Sequence, residues 1–146
     1  MFKRLRNLLL SGMMLVLLVA CNTETVHHDY TFTGEGNKWS AEYVQQASEK
    51  FSSKKGKTTD YETWKNVTFQ LRYKGKQTDL GEMKHFKYTY KGIAGGGGGT
   101  MEGAVSAETL KSVSSGSGAF EWEDSVIKVE VEWDGQKEQF ELMIRK

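Results

Sequence analysis

The chain has 146 residues, with 20 basic, 19 acidic and three histidine side chains, one cysteine and no proline. A formal net charge of +1 gives nucleic acid no bulk electrostatic reason to bind. The lone cysteine, Cys21, rules out an intramolecular disulfide and any metal or redox site built from several thiols, so the fold must rest on its hydrophobic core.

Lys3, Arg4 and Arg6 open the chain, and an apolar run follows over residues 8–20, broken only by Ser11 and Gly12. Thirteen residues fall short of the ~20 needed for a permanent membrane helix, and the basic flank fits a signal peptide. Leu18 spoils the small-residue pattern of an ordinary secretory cleavage site. Leu18-Val19-Ala20-Cys21 instead resembles the lipobox of bacterial lipoproteins. That resemblance implies cleavage before Cys21 and a diacylglyceryl thioether on its sulfur, with or without a further N-acyl chain such as palmitate. Membrane lipid is then the first partner, and the location is the extracytoplasmic face of the cell membrane. A thiolate is the nucleophile such a bond requires, and two acyl chains hold a protein stably where one does not. The expected layout is a leader at 1–20, a lipidated cysteine and polar tether at 21–29, and a single domain at 30–146. Without the leader the chain carries 17 basic and 19 acidic residues.

The rest of the chain alternates apolar and polar residues with period two, the pattern of half-buried strands. Tyr30 and Phe32 start the first strand, which ends at the turn-forming Gly34-Glu35-Gly36-Asn37. Trp39, Ala41 and Tyr43 share a face on the second. Residues 48–60, with SSKKGKTT at their centre, read as a polar loop. Val67, Phe69, Leu71 and Tyr73 form a third inward row, a short polar link follows Lys74-Gly75-Lys76, and Phe86, Tyr88 and Tyr90 form the next row. Gly95–Gly99 has no lysine after its last glycine, which excludes a phosphate-binding P-loop and leaves a flexible or bulged loop beside a strand. Residues 101–105 suit a short strand, 107–113 suit either a helical turn or a strand, and 114–118 read as flexible. Ile127, Val129, Val131 and Trp133, then Asp134-Gly135, then Phe140, Leu142 and Ile144 form the strongest hairpin signal in the chain. About eight short strands with turns between them indicate an all-β fold, a sandwich or small barrel. We expect an antiparallel, immunoglobulin-like β-sandwich.

Gly34-Glu35-Gly36-Asn37-Lys38-Trp39, the Tyr-Lys-Gly-Lys strand exit at Tyr73, the glycine-rich middle and the closing Glu132-Trp133-Asp134-Gly135-Gln136-Lys137 together resemble small lipoproteins of Bacillus-type Gram-positive bacteria. That family is largely uncharacterised, so the resemblance bears on location and fold more than on activity.

No catalytic constellation emerges. His27-His28-Asp29 cannot all converge on one ion, and no second ligand cluster accompanies them, so neither a metal nor another cofactor is expected beyond the lipid. Glu121, Glu123 and Asp124 read as a solvated strand end. A hydrolase is the low-ranked alternative to a non-catalytic binding or interaction module. Residues 50–91 hold eleven basic and four acidic side chains. This imbalance has two readings: strands of opposite sign lying side by side, or a basic face of Lys74, Lys76, Lys84, Lys87 and Lys91 for an anionic envelope polymer. A third possibility is an aromatic platform for sugar rings or an envelope protein, drawn from Trp39, Trp64, Trp122 and Trp133, with Trp133 in register for the core.

Overall fold

The computed structural model describes residues 22–145. The leader with Leu18, Val19 and Ala20, and the lipidation candidate Cys21, lie outside the described residues. The chain forms two compact units: a body made of Val26–Glu49 and Thr63–Lys146, and a ribbon made of Lys50–Glu62 with residues 22–25.

Among the described residues there are nine strands. β1 (Asn22–His27), β2 (Tyr30–Glu35), β3 (Trp39–Lys54) and β4 (Lys57–Tyr73) precede a short helix, α1 (Gln77–Glu82). β5 (His85–Gly92), β6 (Gly95–Glu102), a 3-10 turn (Glu108–Leu110), β7 (Lys111–Gly116), β8 (Ile127–Trp133) and β9 (Gln136–Leu142) complete the chain. One sheet has the order β1-β3-β4-β7 with β2 also paired to β3, and the other the order β6-β5-β8-β9. The protein is an all-β antiparallel sandwich. It shares with immunoglobulin domains the layering of two antiparallel sheets over one core. Its strand order is its own, because β2, β3 and β4 are successive neighbours in one sheet, unlike the ABED and CFG sheets of that fold.

The core sits in the body, where the alternating rows from both sheets meet. Phe32, Trp39, Tyr43, Val67, Phe69 and Leu71 from one sheet pack with Phe86, Tyr88, Val129, Val131, Trp133 and Leu142 from the other. Each such side chain contributes about 1.5–3 kcal/mol on burial. Trp39 bridges the layers, with ring centroids 5.2 Å from Phe86 and 5.7 Å from Trp133. Phe69 stacks on Tyr90 at 4.1 Å.

Where sequence and structure part, the causes are local. Residues 48–60 are not a loop: β3 and β4 run on to a two-residue turn at Lys55 and Gly56, whose φ values of 53° and 74° match a type I′ hairpin. Within the ribbon, Thr59 Oγ1 donates to the Ser52 carbonyl at 3.1 Å, and the Phe51 and Tyr61 rings lie 5.1 Å apart. Its serines, threonines and lysines look loop-like only by composition. The five glycines form most of β6, paired residue by residue with β5 from Gly95↔Gly92 to Glu102↔His85, so the expected loop is a strand and ends at Glu102. Ser114–Gly116 is likewise strand, paired with Val67, Asn66 and Lys65. The polar link after Lys76 is α1, tied down by buried Leu80. The segment expected as an irregular tether forms β1, and His28 just after it is buried.

The Gly34–Trp39 stretch seals one edge of the body. Thr33 and Met143 exchange backbone hydrogen bonds at 2.9 and 3.1 Å, tying β2 to the residue after β9. The Glu138 carboxylate accepts from the backbone N–H groups of Lys38 and Trp39, at 3.0 and 3.1 Å for the shorter contacts. At the other hairpin, Asp134 and Gly135 have φ of 45° and 81°. Asp134 accepts from the N–H groups of Lys84 and His85 at 3.1 and 3.0 Å, and these bonds, His85 first, hold its carboxyl below the ordinary range.

Candidate functional site

The inward row of β3 begins with Trp39, Ala41 and Tyr43 and then continues through Gln45, Ala47 and Glu49. A polar side chain on a buried row must find partners, and Gln45 finds three. Its amide nitrogen donates to the carbonyls of His28 (3.1 Å) and Glu121 (3.0 Å), and its amide oxygen accepts from Glu121 N–H at 2.8 Å. One side chain thus fastens both the β1–β2 junction and the loop between β7 and β8 onto β3.

Glu121 is the largest departure from the sequence reading. Expected at a solvated strand end, it is 1% exposed. Its carboxylate accepts from the N–H groups of Ala94 (2.9 Å) and Ile93 (3.2 Å), capping the turn that leads into β6. Burial and then the neighbouring Glu121 charge push the Tyr43 hydroxyl far above the usual tyrosine range, with Tyr90 adding to the effect.

With the loop fixed, an aromatic cluster forms above it. The His28 ring stacks on Phe120 at 4.6 Å, meets Trp122 edge-on at 5.0 Å, and has Tyr30 at 6.4 Å. Its Nε2 donates to a Glu49 carboxylate oxygen at 2.8 Å, and its backbone N–H donates to Ala47 O at 2.8 Å. Trp122 is braced through its backbone: its amide N–H donates to Ser125 Oγ at 2.9 Å, and its carbonyl accepts from Ser125 N–H at 3.0 Å. The outcome is a half-exposed indole, 46% accessible, resting on a buried histidine and phenylalanine. Tyr30, Trp122, Glu123 and Asp124 line the open depression beside it. His28 therefore acts as a clamp for the aromatic shelf, while its neighbour His27 is exposed on β1.

The chain matches no family model, no curated protein and no solved structure.

The other candidates separate. Trp39 and Trp133 belong to the core, while Trp64 and Trp122 are exposed. The five lysines are spread over several elements. Lys74 lies 3.1 Å from Glu35 and donates to Gly36 O at 3.0 Å. Lys76 precedes α1, and Lys84 lies beside the Asp134 cap. Lys87 and Lys91 point outward from β5, where Lys87 is opposite Glu132 and Lys91 opposite Lys128 on β8. On β5, then, one of the two lysines faces an acid and the other a base across the strand pair. On the same outer surface, hydrogen bonds from Lys137 and then Gln139 hold Glu130 down to about 2.

Sequence reasoning missed Gln45, Glu121 and the stacking of His28. Gln45 was the available signal, because it continues the Trp39–Ala41–Tyr43 parity where another apolar residue was due.

Proposed function

We propose that the chain is a lipid-anchored extracytoplasmic lipoprotein, held through Cys21, that works as a non-catalytic binding module with the Trp122 shelf as its contact surface. The anchor rests on the leader and lipobox, and the shelf carries the binding reading. A rigid aromatic seated on buried groups is pre-organised, and large pre-organised aromatics are the usual anchors of recognition. The carboxylates of Glu123 and Asp124 at the rim disfavour an anionic ligand and suit hydroxyl donors. Envelope glycan, with flat C–H faces for the indole and hydroxyls for the carboxylates, is the ligand class this chemistry fits.

Two measurements test the proposal. Cells fed a labelled fatty acid should label the wild-type protein and leave the Cys21→Ser variant unlabelled but folded; label retained on the variant would overturn the anchor. For the shelf, a Trp64→Phe variant leaves Trp122 as the main exposed indole. Acrylamide should quench it, soluble cell-wall glycan fragments should protect it, and wall teichoic acid should not. Quenching that glycan leaves unchanged would remove the shelf as a glycan site.

A further inference from the structure

The glycine run of β6 is not used by the binding reading. Among the described residues, strand β6 ends its sheet with β5 as its one neighbour there, and four of its five glycines are exposed. Packing accounts for the missing side chains: a Cβ on Gly97 would fall 2.5 Å from the Tyr90 hydroxyl, and one on Gly96 or Gly98 would fall 2.2 Å from a β5 carbonyl oxygen. It does not account for the outer row of backbone donors and acceptors, which no strand pairs among the described residues. Natural edge strands are blocked by lysine, proline, a bulge or a covering element. The β6 sequence, GGGGGTME, carries no lysine or proline.

We propose that β6 pairs antiparallel with β6 of a second copy of this chain, with Gly99 facing Gly99. An even offset of this kind keeps the outward residues of both strands on one surface. In that register Glu102 lies opposite Gly96 of the second copy. Gly96 is paired on its other side with Lys91, so Lys91 and the incoming Glu102 are two strand spacings apart, about 10 Å between Cα atoms. Gly96 places no side chain between them, and a lysine and a glutamate span that gap. Lys91 and Glu102 are both exposed, and Glu102 meets His85 Nδ1 of its own chain at 2.6 Å through one carboxylate oxygen, so the incoming lysine would join that pair at the other oxygen. On its other flank Lys91 faces Lys128, a like charge, so the glycine side is the favourable direction for its ammonium group. Two-fold symmetry makes the contact twice, and charge complementarity fixes the register of an edge that glycine alone would leave free to slip.

The test is sedimentation of the full-length protein in density-matched detergent over a range of concentrations. A reversible dimer is expected. Lys91→Glu and Glu102→Lys should each weaken it about tenfold, through two lost and reversed surface pairs. The Lys91→Glu/Glu102→Lys double variant should regain most of that loss. Circular dichroism guards against unfolding, since both side chains are exposed. A wild-type protein that stays monomeric throughout, or a dimer indifferent to both single variants, would overturn the proposal.

Discussion

Replacing Gly34 by alanine is expected to remove about 4 kcal/mol of stability, combining overpacking against backbone with two lost hydrogen bonds. A Cβ at this position would lie 2.0 Å from the Glu141 carbonyl oxygen and 2.9 Å from its carbon. Neither atom can rotate away, so β2 and β9 must part. Parting them breaks the reciprocal Thr33–Met143 bonds and draws Glu138 away from the N–H groups of Lys38 and Trp39. Gly36→Ala is the control. Its Cβ would meet the Glu138 side chain, 2.2 Å from Oε1, and a flexible carboxylate can move, so the loss should be confined to the cap at about 1–2 kcal/mol. Urea unfolding of the two variants should therefore give clearly unequal midpoints with similar slopes. Equal losses would mean that the close passage at Gly34 does not hold the sheet edges together. Against a total stability of roughly 5–15 kcal/mol, the Gly34 change is large.

The elements legible in the sequence are those whose side chains report a buried face. The rows 86–88–90, 127–129–131–133 and 140–142 alternate without interruption, and Asp134-Gly135 leaves only one way to connect the last two. β6 was illegible for the converse reason: glycine has no side chain with which to report a face, and the strand exists because β5 pairs with it and Tyr88 and Tyr90 fill the space beside it. The Lys55-Gly56 hairpin was hidden by polar composition, although Lys-Gly is itself acceptable turn chemistry. At the candidate site, Trp122 could be named as an aromatic but not placed. Its support comes from His28 and Gln45, more than seventy positions earlier in the chain, and no local pattern carries a contact of that span. The basic stretch runs through the β4–α1 turn, the link after α1 and β5, so clustering in one dimension does not by itself define one face.

Glu121→Leu is expected to cost about 3–5 kcal/mol, since two backbone donors lose their acceptor at about 1–3 kcal/mol each. Leucine leaves the N–H groups of Ile93 and Ala94 without their acceptor at the entrance to β6. Glu121→Gln retains the shape but presents an NH2 group where an oxygen stood, so one of the two backbone donors then faces a donor. About 2 kcal/mol is the expected loss. The pH dependence separates this account from simple loss of packing. Tyr43 has its hydroxyl pKa raised by burial and then by the Glu121 charge. A group raised on folding contributes stability that is intact below its unfolded value, about 10 for tyrosine, and is lost progressively as pH rises beyond it. Wild-type stability should therefore fall above that pH. Glutamine removes the charge and part of the elevation, so its fall should end at a lower pH, and the gap between the two proteins should narrow once the pH passes that point. Urea unfolding at neutral pH and above the tyrosine range measures both effects, and a gap that stays constant with pH would mean that Glu121 acts on the turn without acting on Tyr43. Because Gln45 grips the backbone of this same residue on both sides, loosening Glu121 should also free Trp122. The Glu121→Leu variant is thus expected to lose protection of Trp122 by wall glycan before it unfolds.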